Sequence, residues 1–303
     1  MRILQQTHID FMGTRKIWYS LSGLIIVIGI IGMFTKGIAF GIDFLGGTEV
    51  LVRFENPPEI GTVRNAVQNS GFASSEIKSF GNPYDILIRT PEQGKGAVVL
   101  DLIRENLKKE LPNNPFVILK EDKIGPKIGA ELRKNAIYAV VSALAIIMMY
   151  VGFRFKFIYG VAGVIALFHD VLVTLGVIVL LNGASPHLNL EIDQNIMAAL
   201  LTLVGFSIND TVVIFDRVRE NLLVHKTEGL ATIMNRSINE TLSRTIITNG
   251  TVFLVLLVLV LFGGEVNRGF AFTFFIGSIV GTYSTIYVAS AIVLDYNIKK
   301  NKK

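Results

Sequence analysis

The sequence has no cysteine and few charged residues. The absence of cysteine among its 303 residues excludes disulfide bonds, thiolate catalysis and cysteine-ligated metals. Only 17% of the residues are charged, against about 25% in an ordinary soluble domain. The net charge of +5 does not indicate a nucleic-acid partner, because the basic residues flank long apolar runs and form no single patch. This mosaic is typical of a multi-pass protein of the lipid bilayer.

Six apolar runs are long enough to cross about 30 Å of hydrocarbon as helices. We predict transmembrane helices over residues 17–34, 136–153, 157–181, 196–215, 245–262 and 270–294. Cleavage of the first run as a signal peptide is disfavoured, because Lys36 separates this run from the small residues that follow it.

The distribution of Lys and Arg predicts the orientation of these helices. Basic residues are concentrated in the N-terminal segment 1–16, between the second and third runs, in the loop 216–244 and in the tail 295–303. The two short loops on the opposite side, residues 182–195 and 263–269, contain only one basic residue, Arg268. We therefore expect both termini in the cytoplasm and residues 37–133 on the far side of the membrane.

Residues 37–133 have the pattern of an extracytoplasmic α+β domain between helices 1 and 2. Period-two alternation predicts a strand over 48–54, and short runs rich in apolar residues predict further strands over 77–80, 84–88 and 116–119. Helical spacing predicts one helix from Pro57-Pro58 to Gly71 and a second over 97–111. The order β-α-β-β-α-β is the ferredoxin-like arrangement. The domain shows no catalytic, phosphate-binding or metal-ligand pattern. We therefore predict that the protein is not an enzyme and binds no cofactor or metal ion.

An aspartate within the third run is a candidate functional group, because a charge in the bilayer core usually has a partner or a task. Asp170 shares one helical stripe with Ala162, Ala166 and Thr174 at spacings of four, so we expect it to face the interior of the bundle. His169 precedes it and points about 100° away. A structural hydrogen bond to a neighbouring helix is an equally good interpretation of Asp170.

A second aspartate, Asp210, lies in the fourth run next to Asn209. Arg244 stands at the cytoplasmic start of the fifth run, so an Asp210–Arg244 pair is geometrically allowed. The alternative is a local pair between Arg244 and Glu240, which precedes it by one helical turn. The residues alone leave both interpretations open.

Several motifs in order resemble those of the SecD/SecF family of protein-export membrane proteins. Residues 41–47 resemble the family's opening motif, and residues 124–132 resemble its second signature. Residues 205–217, 239–245 and 281–284 are similar to the SecF type in particular. Phe206 stands where tyrosine is common in the family and Thr285 where serine is common, and neither departure changes an ionisable group.

The resemblance implies a SecF-type subunit that couples proton movement to late-stage preprotein translocation at the bacterial inner membrane. The implied partners are a SecD-like subunit, the SecYEG channel, YajC and preprotein clients. In this picture Asp210 would carry the proton and Arg244 would be its basic partner. Asp170, His169 and Asn209, which the residue pattern places near these groups, are candidate accessory residues. The family motifs also contain hinge candidates at both ends of the outer domain, namely Asp43, Gly46, Gly47, Gly125, Pro126 and Gly129.

Three other functions compete with this interpretation. The chain could belong to another proton-coupled exporter of the same superfamily, or it could be a structural scaffold of the translocon. An intramembrane aspartyl protease with Asp170 and Asp210 as its dyad is disfavoured, because the glycine-x-glycine-aspartate pattern of those proteases is absent.

Overall fold

The computed structural model describes residues 7–72, 75–91, 98–184, 188 and 190–301, without the side chains of residues 98, 265, 266 and 301. Residues 1–6, residue 97 at the predicted helix start and the last two tail residues lie outside this description. The elements are, in order, α1 (Arg15–Lys36), α2 (Ile42–Leu45), β1 (Gly47–Phe54), α3 (Ile60–Asn69), β2 (Glu76–Phe80), β3 (Asn82–Thr90), α4 (Val98–Glu110), β4 (Phe116–Ile124), α5 (Pro126–Arg154), α6 (Phe157–Leu181), α7 (Gln194–Val224), α8 (Leu230–Phe262), α9 (Glu265–Ser284), a π-helical segment (Thr285–Ala289) and α10 (Ser290–Asn301).

The chain divides into two compact units. The membrane unit consists of Met1–Gly37, Ala139–Leu180 and Asn195–Lys303, and the outer unit consists of Ile38–Tyr138 and Leu181–Gln194. The outer unit therefore includes the loop between α6 and α7 as well as the segment between the first two membrane helices.

The membrane unit is built from long apolar helices. Within the described residues, six helical stretches are long and apolar enough to cross a membrane, as the sequence predicts. Small residues allow close packing between them. A Cβ atom added at Gly176 of α6 would lie 2.8 Å from the Gly29 Cα atom of α1, so the two backbones touch at this point.

The outer unit contains a four-stranded antiparallel sheet, counted over the residues described, in the order β2-β3-β1-β4. Val50 of β1 is opposite Ile88 of β3, and both are fully buried. Val63 and Val67 of α3 are buried in the same core. The order and pairing confirm the predicted ferredoxin-like domain.

Three features differ from the expected pattern. The four-residue helix α2 follows Gly41 and was not predicted. The last strand β4 continues to Ile124 instead of ending at Leu119, because its charged residues lie on an edge strand where solvent is accessible. The sixth span is interrupted by the π-helical segment, and π-helical turns occur frequently at functional sites.

Candidate functional site

A buried carboxylate lies in the middle of α7. Asp210 is 6% exposed, and its Oδ2 atom accepts a hydrogen bond from Asn249 Nδ2 of α8 at 2.6 Å. The same amide nitrogen of Asn249, which is 1% exposed, also donates to Thr282 Oγ1 of α9 at 2.8 Å. One side-chain amide therefore joins α7, α8 and α9 around a single carboxylate.

Arg244 acts on Asp210 without touching it. The Arg244 guanidinium attracts the Asp210 carboxylate electrostatically, but the two side chains form no ion pair in the part of the chain that the structure describes. Glu240, the alternative partner of Arg244, contacts other residues instead. It accepts hydrogen bonds from Arg217 Nε at 2.6 Å and from Asn221 Nδ2 at 2.8 Å. Neither of the two pairings considered from the sequence is formed directly.

A polar cavity lies beside Arg244. Its volume is about 960 Å³, and Arg244, Thr248, Asn239 and Asp10 are among the residues that line it. The Asn239 side chain holds the N-terminal segment against α8, since it bonds both the Ile9 amide at 3.0 Å and the Ile9 carbonyl at 2.9 Å. Arg244 is exposed and lines this cavity, so its side chain is accessible from the cavity.

A second polar network surrounds Asp170, which is fully buried. Its Oδ2 atom accepts a hydrogen bond from Ser207 Oγ of α7 at 2.6 Å, and its Oδ1 atom lies 3.0 Å from His169 Nδ1. The other ring nitrogen of His169 lies 3.0 Å from the Tyr283 hydroxyl of α9, which is 3.3 Å from Ser22 Oγ of α1. Because Ser207 is one helical turn before Asp210, the two networks share α7.

The remaining intramembrane predictions have different outcomes. Ala162, Ala166 and Thr174 are buried together with Asp170, which confirms the predicted interior stripe. Asn209 is exposed on α7 and makes no contact with Asp210 among the hydrogen bonds of the described residues.

The residues proposed as hinges lie in the outer unit and are tightly packed. Gly46 and Gly47 have φ angles of 79° and 142°, which side chains rarely tolerate. A Cβ atom at Gly129 would lie 3.0 Å from the Gly46 nitrogen. Pro126 begins α5, and the Gly125 carbonyl accepts the first helical hydrogen bond from Gly129 at 2.9 Å. Gly46 and Gly47 are thus constrained by their φ angles and Gly129 by close approach. The role of the six positions as hinges stays a prediction.

The sequence interpretation missed four members of the two networks, namely Ser22, Asn249, Thr282 and Tyr283. Asn249 gave a usable signal, because an amide within an apolar membrane run needs a hydrogen-bond partner. Thr282 and Tyr283 lie inside the 281–284 motif, and the sequence gives no sign that their hydroxyl groups reach these networks.

Two models of known protein families together match most of the chain. The family described as "Protein export membrane protein SecD/SecF, C-terminal" matches residues 103–299, and the "SecD/SecF GG Motif" matches residues 31–58. The chain belongs to the SecD/SecF family. Together with the six apolar helices, this membership makes it a multi-pass protein of the bacterial inner membrane.

Similar proteins within the SecD/SecF family are of the SecF type. The chain is 42% identical over 295 residues to a protein translocase subunit SecF of Rhodothermus marinus, with 97% of this chain and 95% of the relative covered. It is 38% identical over 298 residues to a protein of the same name from Escherichia coli O157:H7, with 96% and 88% covered.

A solved SecD/SecF structure also resembles this chain. The crystal structure of SecDF from Thermus thermophilus, described as a translocon-associated membrane protein, superposes with a TM-score of 0.84 at 37% identity. The alignment covers 96% of this chain and 39% of the SecDF chain. The chain therefore spans well under half the length of that SecDF protein.

Proposed function

We propose that this chain is a SecF-type subunit of the protein translocase that couples proton movement through the membrane to late-stage preprotein translocation. Its relatives are named as translocase subunits, and SecDF chains contain a matching region within a longer polypeptide. A separate SecD-like subunit would supply the part that this chain does not match. SecYEG, YajC and preproteins are the further proposed partners, and both termini are proposed to be cytoplasmic.

The observation that supports proton coupling most is the setting of Asp210. A carboxylate inside a membrane bundle is stable when its charge is matched by donors and cations, whereas its protonated form is neutral and needs neither. Here the matching groups are the Asn249 amide at 2.6 Å and the Arg244 charge at a greater distance. Proton uptake therefore changes which contacts between α7 and α8 are favourable.

The energy of the gradient is sufficient for such a change. One proton that crosses 100 mV supplies about 2.3 kcal/mol. A hydrogen bond to a charged group contributes about 1.5–3 kcal/mol. The two quantities are similar, so the gradient can shift the balance between an ionised and a protonated arrangement of the site.

The test is the Asp210→Asn variant, which keeps the size of the side chain and removes the proton-binding group. Preprotein export is measured in membrane vesicles with and without an imposed proton gradient, in the presence of the chain's full complex. We expect the gradient-dependent part of export to disappear while the complex still assembles.

The matched control is Asp216→Asn on the same helix. Asp216 is 44% exposed in its side chain and lies 3.6 Å from Arg154, so its loss removes a charge from the surface and leaves the buried site intact. A silent Asp210→Asn variant would support the scaffold function instead. Drug efflux without preprotein release would support another exporter of the same superfamily.

A further inference from the structure

The loop between α6 and α7 is part of the outer unit and is attached to it by its backbone. The Gly41 amide donates to the Ile192 carbonyl at 2.9 Å, and the Ile192 amide donates to the Ala39 carbonyl at 2.8 Å. Leu190 and Ile192 are 1% and 6% exposed. The end of this loop is therefore an ordered strand-like segment that is packed into the outer unit.

A buried ion cluster attaches the same segment to the sheet. Glu191 is 7% exposed, and it accepts hydrogen bonds from Lys78 Nζ of β2 at 2.7 Å and from Arg89 of β3. Arg89 also donates to Glu49 of β1 at 2.7 Å. Burial alone would raise the pKa of Glu191, but the charges of Arg89 and Lys78 hold this pKa below its ordinary value. The cluster is thus charged and fully paired at neutral pH.

A third attachment lies at the first residue of α7. The backbone amide of Gln194 donates to Asp43 Oδ2 at 2.9 Å, and Asp43 belongs to α2 in the outer unit. A carboxylate at a helix N-terminus satisfies a free amide and matches the positive end of the helix dipole. This bond lies within the outer unit, because Gln194 is both the last residue of that unit and the first residue of the helix that carries Asp210.

We propose that Glu191 and Asp43 are positioning residues that fix the start of α7 to the sheet of the outer unit, so that movement of α7 on proton binding is transmitted to that sheet. This inference rests on the proposed function of Asp210. Asp210 lies sixteen residues after Gln194 on one continuous helix, a rise of about 24 Å. A helix transmits a displacement over this length, whereas a loop without these attachments would absorb it.

The glycine hinges alone do not provide such a connection. They lie where α1 and α5 lead into the outer unit, and neither of these helices carries an intramembrane carboxylate. The attachment through Glu191 and Asp43 acts on α7 itself.

The experiment compares Glu191→Gln with wild type in the assembled complex. Export is measured with and without a proton gradient, and protonation of Asp210 is followed by the infrared band of its carboxyl group. We expect Glu191→Gln to lower the gradient-stimulated part of export roughly tenfold, which is about 1.4 kcal/mol of coupling. Export without a gradient and the Asp210 band should be unchanged, and Glu191→Asp should restore part of the stimulation because it keeps the charge.

The matched control is Asp85→Asn. Asp85 is a buried carboxylate in the same sheet, and its bidentate partner is Arg53 at 2.7 Å, away from the loop. We expect this variant to keep the gradient response. If Glu191→Gln does not accumulate, Lys78→Gln removes one of the two cations and leaves the bond to Arg89.

The outcomes separate the two proposals. Full gradient stimulation in Glu191→Gln, together with its loss in Asp210→Asn, would refute the attachment and leave the proton-coupling function in place. Full stimulation in Asp210→Asn would refute the proposed function whatever the Glu191 variants do. Equal loss of stimulated and unstimulated export in Glu191→Gln would show a structural role only and would also overturn the inference.

Discussion

The Asn249→Leu variant tests whether the amide holds the ionised form of Asp210. Leucine has nearly the shape of asparagine but donates no hydrogen bond, so the change removes the bonds to Asp210 at 2.6 Å and to Thr282 at 2.8 Å without opening a cavity. A hydrogen bond to a charged group contributes about 1.5–3 kcal/mol. Its loss disfavours the ionised form relative to the protonated form by roughly 10- to 150-fold.

The assay is gradient-driven export in vesicles at matched expression. In the proposed function Asp210 releases its proton once in each cycle. We therefore expect the gradient-stimulated rate of Asn249→Leu to fall by at least about tenfold, which is the lower end of the range above. Thr251→Val is the matched control. Thr251 lies two residues after Asn249 on α8, it is exposed, and its hydroxyl donates to the Thr248 carbonyl of its own helix at 2.8 Å. If the two variants were equally active, the amide could not be what stabilises the charge.

Two further predictions concern stability. Gly176→Ala should lower the free energy of unfolding of the protein in detergent by about 1–3 kcal/mol, because the added Cβ atom would lie 2.8 Å from the Gly29 backbone. Gly205→Ala should leave this free energy unchanged, because nothing lies within 4 Å of its added Cβ atom. Equal melting temperatures of the two variants would contradict the close packing of α1 and α6. In the outer unit, hydrogen bonds from Arg53 hold the pKa of Asp85 below its ordinary value, so the stability that this pair contributes should be complete above about pH 4 and be lost as the pH falls through the lowered pKa. Hydrogen exchange of β1 and β3, corrected for its intrinsic pH dependence, checks this, and the decrease should be absent in Asp85→Asn.

The outer domain could be predicted because its elements are defined by local patterns. Val50, Val52 and Phe54 alternate in the sequence and are all buried in β1, and turns at glycine and proline separate the elements. The end of β4 could not be predicted in this way. Val117 and Leu119 are exposed on this edge strand, at 64% and 44%, so strand pairing there depends on backbone bonds to β1 and not on burial of alternate side chains.

The interior stripe around Asp170 could also be predicted, because residues four apart on a helix share a face wherever the helix is placed. The hydrogen-bond partners of Asp170 could not be predicted from the sequence. Ser207 and Tyr283 come from helices far along the chain, and only the packing of the bundle brings their hydroxyl groups to His169 and Asp170. The loop residue Glu191 was missed for the same reason, since its two cations lie on the sheet more than a hundred residues earlier.

The partner of Asp210 shows how charge alone can mislead a sequence-based interpretation. Opposite charges in neighbouring helices suggest a direct ion pair with Arg244, but the structure places the neutral amide of Asn249 against the carboxylate and leaves Arg244 exposed beside a polar cavity. Breaking a buried ion pair costs about 3–5 kcal/mol, more than the roughly 2.3 kcal/mol that one proton supplies at 100 mV. A single hydrogen bond from an amide to a charged group, at about 1.5–3 kcal/mol, is comparable to the energy that one proton supplies. For the proton-carrier role proposed for Asp210, Asn249 in contact and Arg244 at a distance are therefore better suited than a closed ion pair.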